Sequence, residues 1–153
     1  MSRACGANRR LMSHVQTVIL DNEAVQALMD PAHRKHRWML RYVLLATGRT
    51  VSAEMPSVQL VVPTAVRVES AWDRRKPTAA PINRLRFADA ALDSSVADRA
   101  AAVRTVLKLS VADAHIAAVL EDTKGPHAVV TSDRKDIDRI AAHLGIKLSI
   151  IAV

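Results

Sequence analysis

A single cysteine, Cys5, leaves no partner for an intramolecular disulfide, which excludes the cystine-stapled scaffolds of small secreted domains and predicts a reducing, cytoplasmic setting. Glycine is scarce, and the four glycines never fall in the clustered spacing that cradles a phosphate, so a P-loop or dinucleotide fingerprint has no support. Aromatics are scarce too: two Trp, one Tyr and one Phe leave the core to small aliphatic contacts of Ala, Val and Leu. No apolar run is long enough to span a bilayer, and the opening residues carry Arg3, Arg9 and Arg10 without the apolar stretch of a signal peptide. No membrane association is expected. Acids are the minority charge, 15 against 22 Lys and Arg, for a net charge of +7. Such an excess suits a polyanionic partner, because Lys and Arg gain affinity for phosphates by releasing condensed counterions. Nucleic acid ranks ahead of a membrane surface on that ground, although charge alone also fits a basic surface with no specific partner.

What is present, over 153 residues, suits one α/β domain. Residues 1–14 are expected to be a disordered basic tail, and 15–153 a single domain. Val15 to Leu20 reads as a buried strand that runs straight into Asp21. A helix over Asn22 to Met29 follows, stopped by Asp30-Pro31, then a basic amphipathic helix from about His33 to Thr47 with Gly48 as its cap. Val58 to Val62 is a second strand, with a helix from Pro63 to about Arg74 behind it. Pro77 to Ser95 is mixed. Helices follow over Val96 to Leu107 and Ser110 to Asp122, then a strand over His127 to Val130, a helix ending at Leu144 and a strand from Lys147 to Val153. This alternation predicts a three-layer α/β/α sandwich around a mostly parallel sheet.

In such sheets, sites form beyond the carboxyl ends of the strands, where Asp21 and Asp133 both stand. Either is equally a helix N-cap. Glu69 shares its helix stripe with Ala65, Val66, Trp72 and Asp73, and no Lys or Arg is spaced to pair with it; a carboxylate facing a core needs a cation or a proton. Asp113 shares a face with Ile116, Ala117 and Leu120, while Ser110 three residues earlier makes a capping box the competing explanation. Four carboxylates gathered from four segments cannot remain uncompensated, and an all-oxygen set suits a hard divalent ion, Mg²⁺ or Mn²⁺.

The segments Val18-Ile19-Leu20-Asp21-Asn22, Pro63-Thr64-Ala65-Val66-Arg67-Val68-Glu69, Val111-Ala112-Asp113-Ala114-His115-Ile116-Ala117-Ala118 and Val129-Val130-Thr131-Ser132-Asp133 resemble, in that order, the four acidic motifs of PIN-domain ribonucleases, and among these the VapC-type toxins of toxin–antitoxin pairs. The resemblance covers about residues 15 to 145. It implies an Mg²⁺- or Mn²⁺-dependent endoribonuclease, commonly dimeric, whose site is occluded by an antitoxin. Carried over by position, Asp21 and Asp113 are the main metal ligands, Glu69 and Asp133 complete the acidic ring directly or through water, and Asn22, Thr131 and Ser132 support them. The expected chemistry is attack of a metal-activated water on phosphorus, leaving a 5′ phosphate and a 3′ hydroxyl.

The remaining polar groups fall into place around that expectation. Arg34, Lys35, Arg37, Arg41, Arg74, Arg75 and Lys76 are expected to rim the site and hold RNA, some of them facing an acidic antitoxin segment instead; Trp38 and Trp72 sit at core-like spacing. The six histidines lack the company of a zinc site. Asp136 suits the dipole at the start of its helix better than the acidic set. Two rivals differ in class. A haloacid-dehalogenase-type phosphohydrolase wants a second Asp where Glu23 stands. A PIN-like module that binds RNA or antitoxin without cleaving would keep the fold and lose the chemistry.

Overall fold

The computed structural model describes residues 15–47 and 58–153. The tail expected over 1–14 and the cap expected at Gly48 lie outside the described residues. Five strands, β1 (Thr17–Leu20), β2 (Gln59–Pro63), β3 (Ala88–Ala90), β4 (His127–Thr131) and β5 (Leu148–Ala152), form one sheet in the order β3-β2-β1-β4-β5. Every pairing is parallel. β1 and β4 are buried along their whole length, and they read as unbroken runs such as TVIL and HAVVT because helices cover both faces.

The helices are α1 (Asn22–Met29), α2 (His36–Thr47), α3 (Thr64–Glu69), α4 (Ala80–Asn83), α5 (Ser94–Leu107), α6 (Val111–Asp122) and α7 (Arg134–Leu144). α6 runs through the interior. Its buried Ala112, Ala114, Ala117 and Ala118 have almost no side-chain bulk, and α3, α5 and α7 all pack against it. α7 ends at Gly145, whose φ of 66° is the left-handed conformation that glycine adopts without a Cβ penalty.

Two expected helix boundaries move by three residues or more. α2 begins at His36 rather than His33, because the Asp30 carboxylate takes the Ala32 N–H and the His33 ring takes the Lys35 N–H, folding those residues into turns. α3 stops at Glu69, not Arg74: Ala71 turns left-handed at φ 56° and the Trp72 N–H closes back on the Arg67 carbonyl at 2.9 Å. Trp72, 3% exposed, then packs against the guanidiniums of Arg67 and Arg74, and its indole N–H donates to Asn83 at 3.0 Å. The mixed stretch after Pro77 resolves into a 3₁₀ turn (Pro77–Ala79), α4 and the three-residue edge strand β3.

Candidate active site

Because the sheet is wholly parallel, all its carboxyl ends lie along one edge. β1 pairs with β2 on one side and β4 on the other, so the chain changes direction there and a crevice opens beyond the strand ends. Register does the rest. Leu20 is opposite Val130, and the Asp21 N–H donates to the Val130 carbonyl at 3.0 Å, which sets Asp21 beside Thr131-Ser132-Asp133. α3 brings Glu69 from the end of β2, and α6 brings Asp113 from above. Asp21, Glu69, Asp113 and Asp133 line one depression of about 160 Å³, room for several waters. Asn22 and Ser132 line it as well, with Val66, Ala112 and Ile116 supplying apolar wall.

Asp21 is 7% exposed and held from three directions. One oxygen accepts from the Ala24 N–H at 3.0 Å, which caps α1; the other accepts from the Ser132 N–H at 3.1 Å, and the Thr131 hydroxyl also bonds the carboxylate. The Thr131 oxygen in turn accepts from the Asp133 N–H at 2.9 Å. Capping and site lining are therefore both true of Asp21, since a carboxylate has more lone pairs than these donors use. Burial raises its pKa above 3.8, the hydrogen bonds from Thr131, Ala24 and Ser132 pull the other way, and the charge of Glu23 adds to the rise.

Asp113 is half-buried at the start of α6. Ser110 caps that helix by accepting from the Asp113 N–H at 3.1 Å, and its hydroxyl donates to the Asp113 carboxylate at 2.9 Å. This is a variant of the capping box in which the hydroxyl, not a backbone N–H, serves the acid. Burial again raises the pKa; the Ser110 bond opposes it, and Asp136, Asp133 and Asp21 all raise it further. The acids feel one another.

One site expectation needs correcting. Glu69 is exposed, not turned to the core, because α3 ends on it and the Trp72 and Asp73 assigned to its stripe lie beyond the turn. Its unpaired charge costs little where it stands. Ser132 serves the site through its backbone N–H, and only Thr131 contributes a hydroxyl to Asp21. Asp133 is exposed and caps α7 through the Asp136 N–H at 3.1 Å, while Asp136 pairs with Arg139 at 2.8 Å. Asn22 spends its side-chain oxygen on Gln26 at 3.1 Å.

The expected rim divides. Among the described residues no Lys, Arg or His lines the depression. Arg34, Arg37 and Arg41 are exposed and make no ion pair among the described residues, and Lys35 lies over the Trp38 ring. Arg74 is committed to Asp89 at 2.9 Å and the Phe87 carbonyl at 3.0 Å, and Arg75 to Asp73 at 2.9 Å, so their charge is largely spent locally. That pairing holds Asp73 down at about 2. Lys76 lines a separate depression with Arg67 and Trp72.

Glu23 and Ser110 line the acidic depression without having been proposed for it. Glu23 stands in the first turn of α1, two residues past Asp21, and that spacing was the available signal; its carboxylate is paired with His33 at 2.8 Å. Three further histidines pack, while His143 is exposed. His36 donates to the Ala27 carbonyl at 2.7 Å, His127 bonds Thr123, and His115 is wholly buried.

An oxygen-only set with two carboxylates raised by burial and by neighbouring acids fits a hard divalent cation in kind. Among the described residues no three acids or histidines stand close enough together to form a finished cation site. No helix among them is long and apolar enough to cross a membrane. No protein-family model and no curated protein matches the chain. Its fold is similar to that of a chain in the crystal structure of VapBC2 from Rickettsia felis bound to a DNA fragment from their promoter, with a TM-score of 0.54 and 11% identity over 88% of this chain and 98% of that one.

Proposed function

We propose that this chain is a PIN-type endoribonuclease dependent on Mg²⁺ or Mn²⁺, acting as the toxin of a toxin–antitoxin pair. The observation that carries it is the meeting of Asp21, Glu69, Asp113 and Asp133, from four separate segments, in one depression at the carboxyl edge of the sheet with no cation of the described chain among its lining. The likeness of fold to a chain of a VapBC2 complex supports the toxin reading, and with it an antitoxin partner; a homodimer is what the resemblance to VapC-type toxins implies.

Asp21 and Asp113 would hold the ion, with Glu69 and Asp133 reaching it directly or through water. A bound divalent ion supplies an activated water and neutralises charge on the phosphate. The protein's part is orientation: Thr131 and the Ser132 N–H fix Asp21, and Ser110 fixes Asp113. Glu69, exposed on an unbranched side chain, can turn inward as charge at the centre is neutralised. Incubated with Mn²⁺ and a mixed single-stranded RNA pool, the protein is expected to yield fragments with 5′ phosphates, and a chelator to stop the reaction. Cyclic 2′,3′-phosphate ends, or cleavage surviving the chelator, would overturn this reading.

A non-cleaving RNA- or antitoxin-binding module is the second reading, favoured by the absence of a finished cation site among the described residues. Binding of the same RNA pool without cleavage would select it.

Arg34, Arg37 and Arg41 would carry RNA binding under either reading, being exposed, gathered within eight residues of sequence and without an ion pair among the described residues. Replacing all three with Ala should weaken binding to single-stranded RNA and flatten the plot of log affinity against log salt by about 2, from roughly 0.7 per phosphate contact. Filter binding with the catalytically silent Asp21→Asn protein measures it. An unchanged salt slope would place the RNA elsewhere.

A further inference from the structure

α3 has an unsolved problem at its start. Its N-cap position is Pro63, the last residue of β2, which makes no side-chain cap hydrogen bond, and a six-residue helix has little cooperativity with which to tolerate bare N–H groups. The Thr64 hydroxyl does not help, since it accepts from the Leu92 N–H at 3.1 Å. The missing acceptor comes from another helix. His115 Nδ1, on α6, accepts from the Ala65 N–H at 3.3 Å across fifty residues of sequence.

We infer that His115 is the N-cap of α3 supplied in trans from α6, a positioning residue that fixes the spacing between Glu69 and Asp113 across the acidic depression. α3 carries Glu69 at its far end, and Asp113 precedes His115 by two residues on α6. One ring thus ties together the two helices that bring those acids to the site. Its full burial makes the tie rigid, because a side chain at 0% exposure has no room for another rotamer. The bond also fixes the tautomer: an accepting Nδ1 leaves the proton on Nε2, which is enclosed, makes no well-formed hydrogen bond among the described residues and leans on the Ala91 backbone. A histidine placed only to fill the core would have no reason to aim its lone pair at a helix start whose own N-cap residue offers no side-chain acceptor.

The role in metal binding rests on the proposed metal-dependent function; the cap itself does not. Two substitutions separate acceptor position from bulk. Asn places its carbonyl oxygen where Nδ1 stands, whereas Gln carries its amide out to the Nε2 position, and both bury a similar polar group. In the metal-free protein, exchange of the Ala65 amide read by NMR against Val25 in α1 should quicken about tenfold in His115→Gln and stay near wild type in His115→Asn. Manganese affinity by calorimetry should follow the same order, about tenfold weaker for Gln and restored by Asn, the size seen for groups that orient metal ligands. In the wild type, imidazole ¹⁵N shifts should report a proton on Nε2. A proton on Nδ1, or equal Ala65 protection in both variants, overturns the cap. Protection that differs while both variants bind Mn²⁺ like wild type overturns the positioning role. A wild-type protein that binds no Mn²⁺ defeats the proposed function and leaves the cap standing.

Discussion

Asp21→Asn should abolish metal-dependent cleavage while leaving the protein folded. Even a group one step removed from a metal typically costs about 10- to 100-fold in affinity or activity, so loss of a main ligand should lower kcat by more than about hundredfold. The folded state has less at stake. Asn caps helices as well as Asp, so its oxygen can keep the Ala24 N–H. Its amide nitrogen then faces the Ser132 N–H, a donor against a donor where the carboxylate accepted at 3.1 Å, and an unmet buried donor costs about 1–3 kcal/mol. Against that stands the removal of a charge that burial already disfavours. The two terms are of similar size, and the melting temperature should move by only a few degrees either way. Steady-state cleavage, with circular dichroism on the same samples, separates the effects. Retained activity would remove Asp21 from the site; unfolding would show that its hydrogen bonds, not its charge, dominate.

Much of this was legible because the central elements are locally consistent. The run TVIL is a strand by composition and ends on Asp21, and the parallel sheet follows from strands alternating with helices. Asp113 on the apolar side of α6 was readable from helical spacing, since α6 is long enough for that spacing to hold. Glu69 was misread for the opposite reason. A stripe drawn through Trp72 and Asp73 needs helix beyond Glu69, and the turn at Ala71 is imposed by contacts distant in sequence: the Trp72 indole on Asn83, and Arg67 and Arg74 sharing Asp89. β3 was hidden because an edge strand of Ala-Asp-Ala has neither an apolar run nor alternation; its pairing with β2 defines it. The same holds for the cap on α3, where donor and acceptor are fifty residues apart. Local pattern located the acids, and the tertiary bonds that aim them had no local signal.

Binding of Mn²⁺ should stabilise the protein strongly at pH 7, and the stabilisation should vanish as the pH falls toward about 4. A ligand at a hundred times its Kd adds about 2.7 kcal/mol, which for a domain of this length raises Tm by roughly 5–10 °C. The ion needs both carboxylates deprotonated, and burial holds the pKa values of Asp21 and Asp113 above 3.8, so protons compete with metal in a window above the ordinary carboxylate range. In the metal-free protein the same shifts act with the opposite sign. A carboxyl whose folded pKa is raised holds its proton more tightly folded than unfolded; it favours folding below 3.8 and loses that contribution as pH rises through the folded value. His115 and His127, held below 6.5 by burial, oppose this, because the unfolded chain takes up their protons first and stability falls as pH drops below 6.5. The raw curve therefore mixes both. Subtracting the Asp21→Asn curve cancels the histidines: the stability of wild type minus variant should climb from pH 7 to about 4, in a step that Asp113 shares because the charge of Asp21 raises its proton affinity. Urea midpoints across that range, with and without Mn²⁺, provide the test. A flat difference would mean that Asp21 is ordinary in the folded state, and a manganese shift surviving at about pH 4 would place the ion away from these carboxylates.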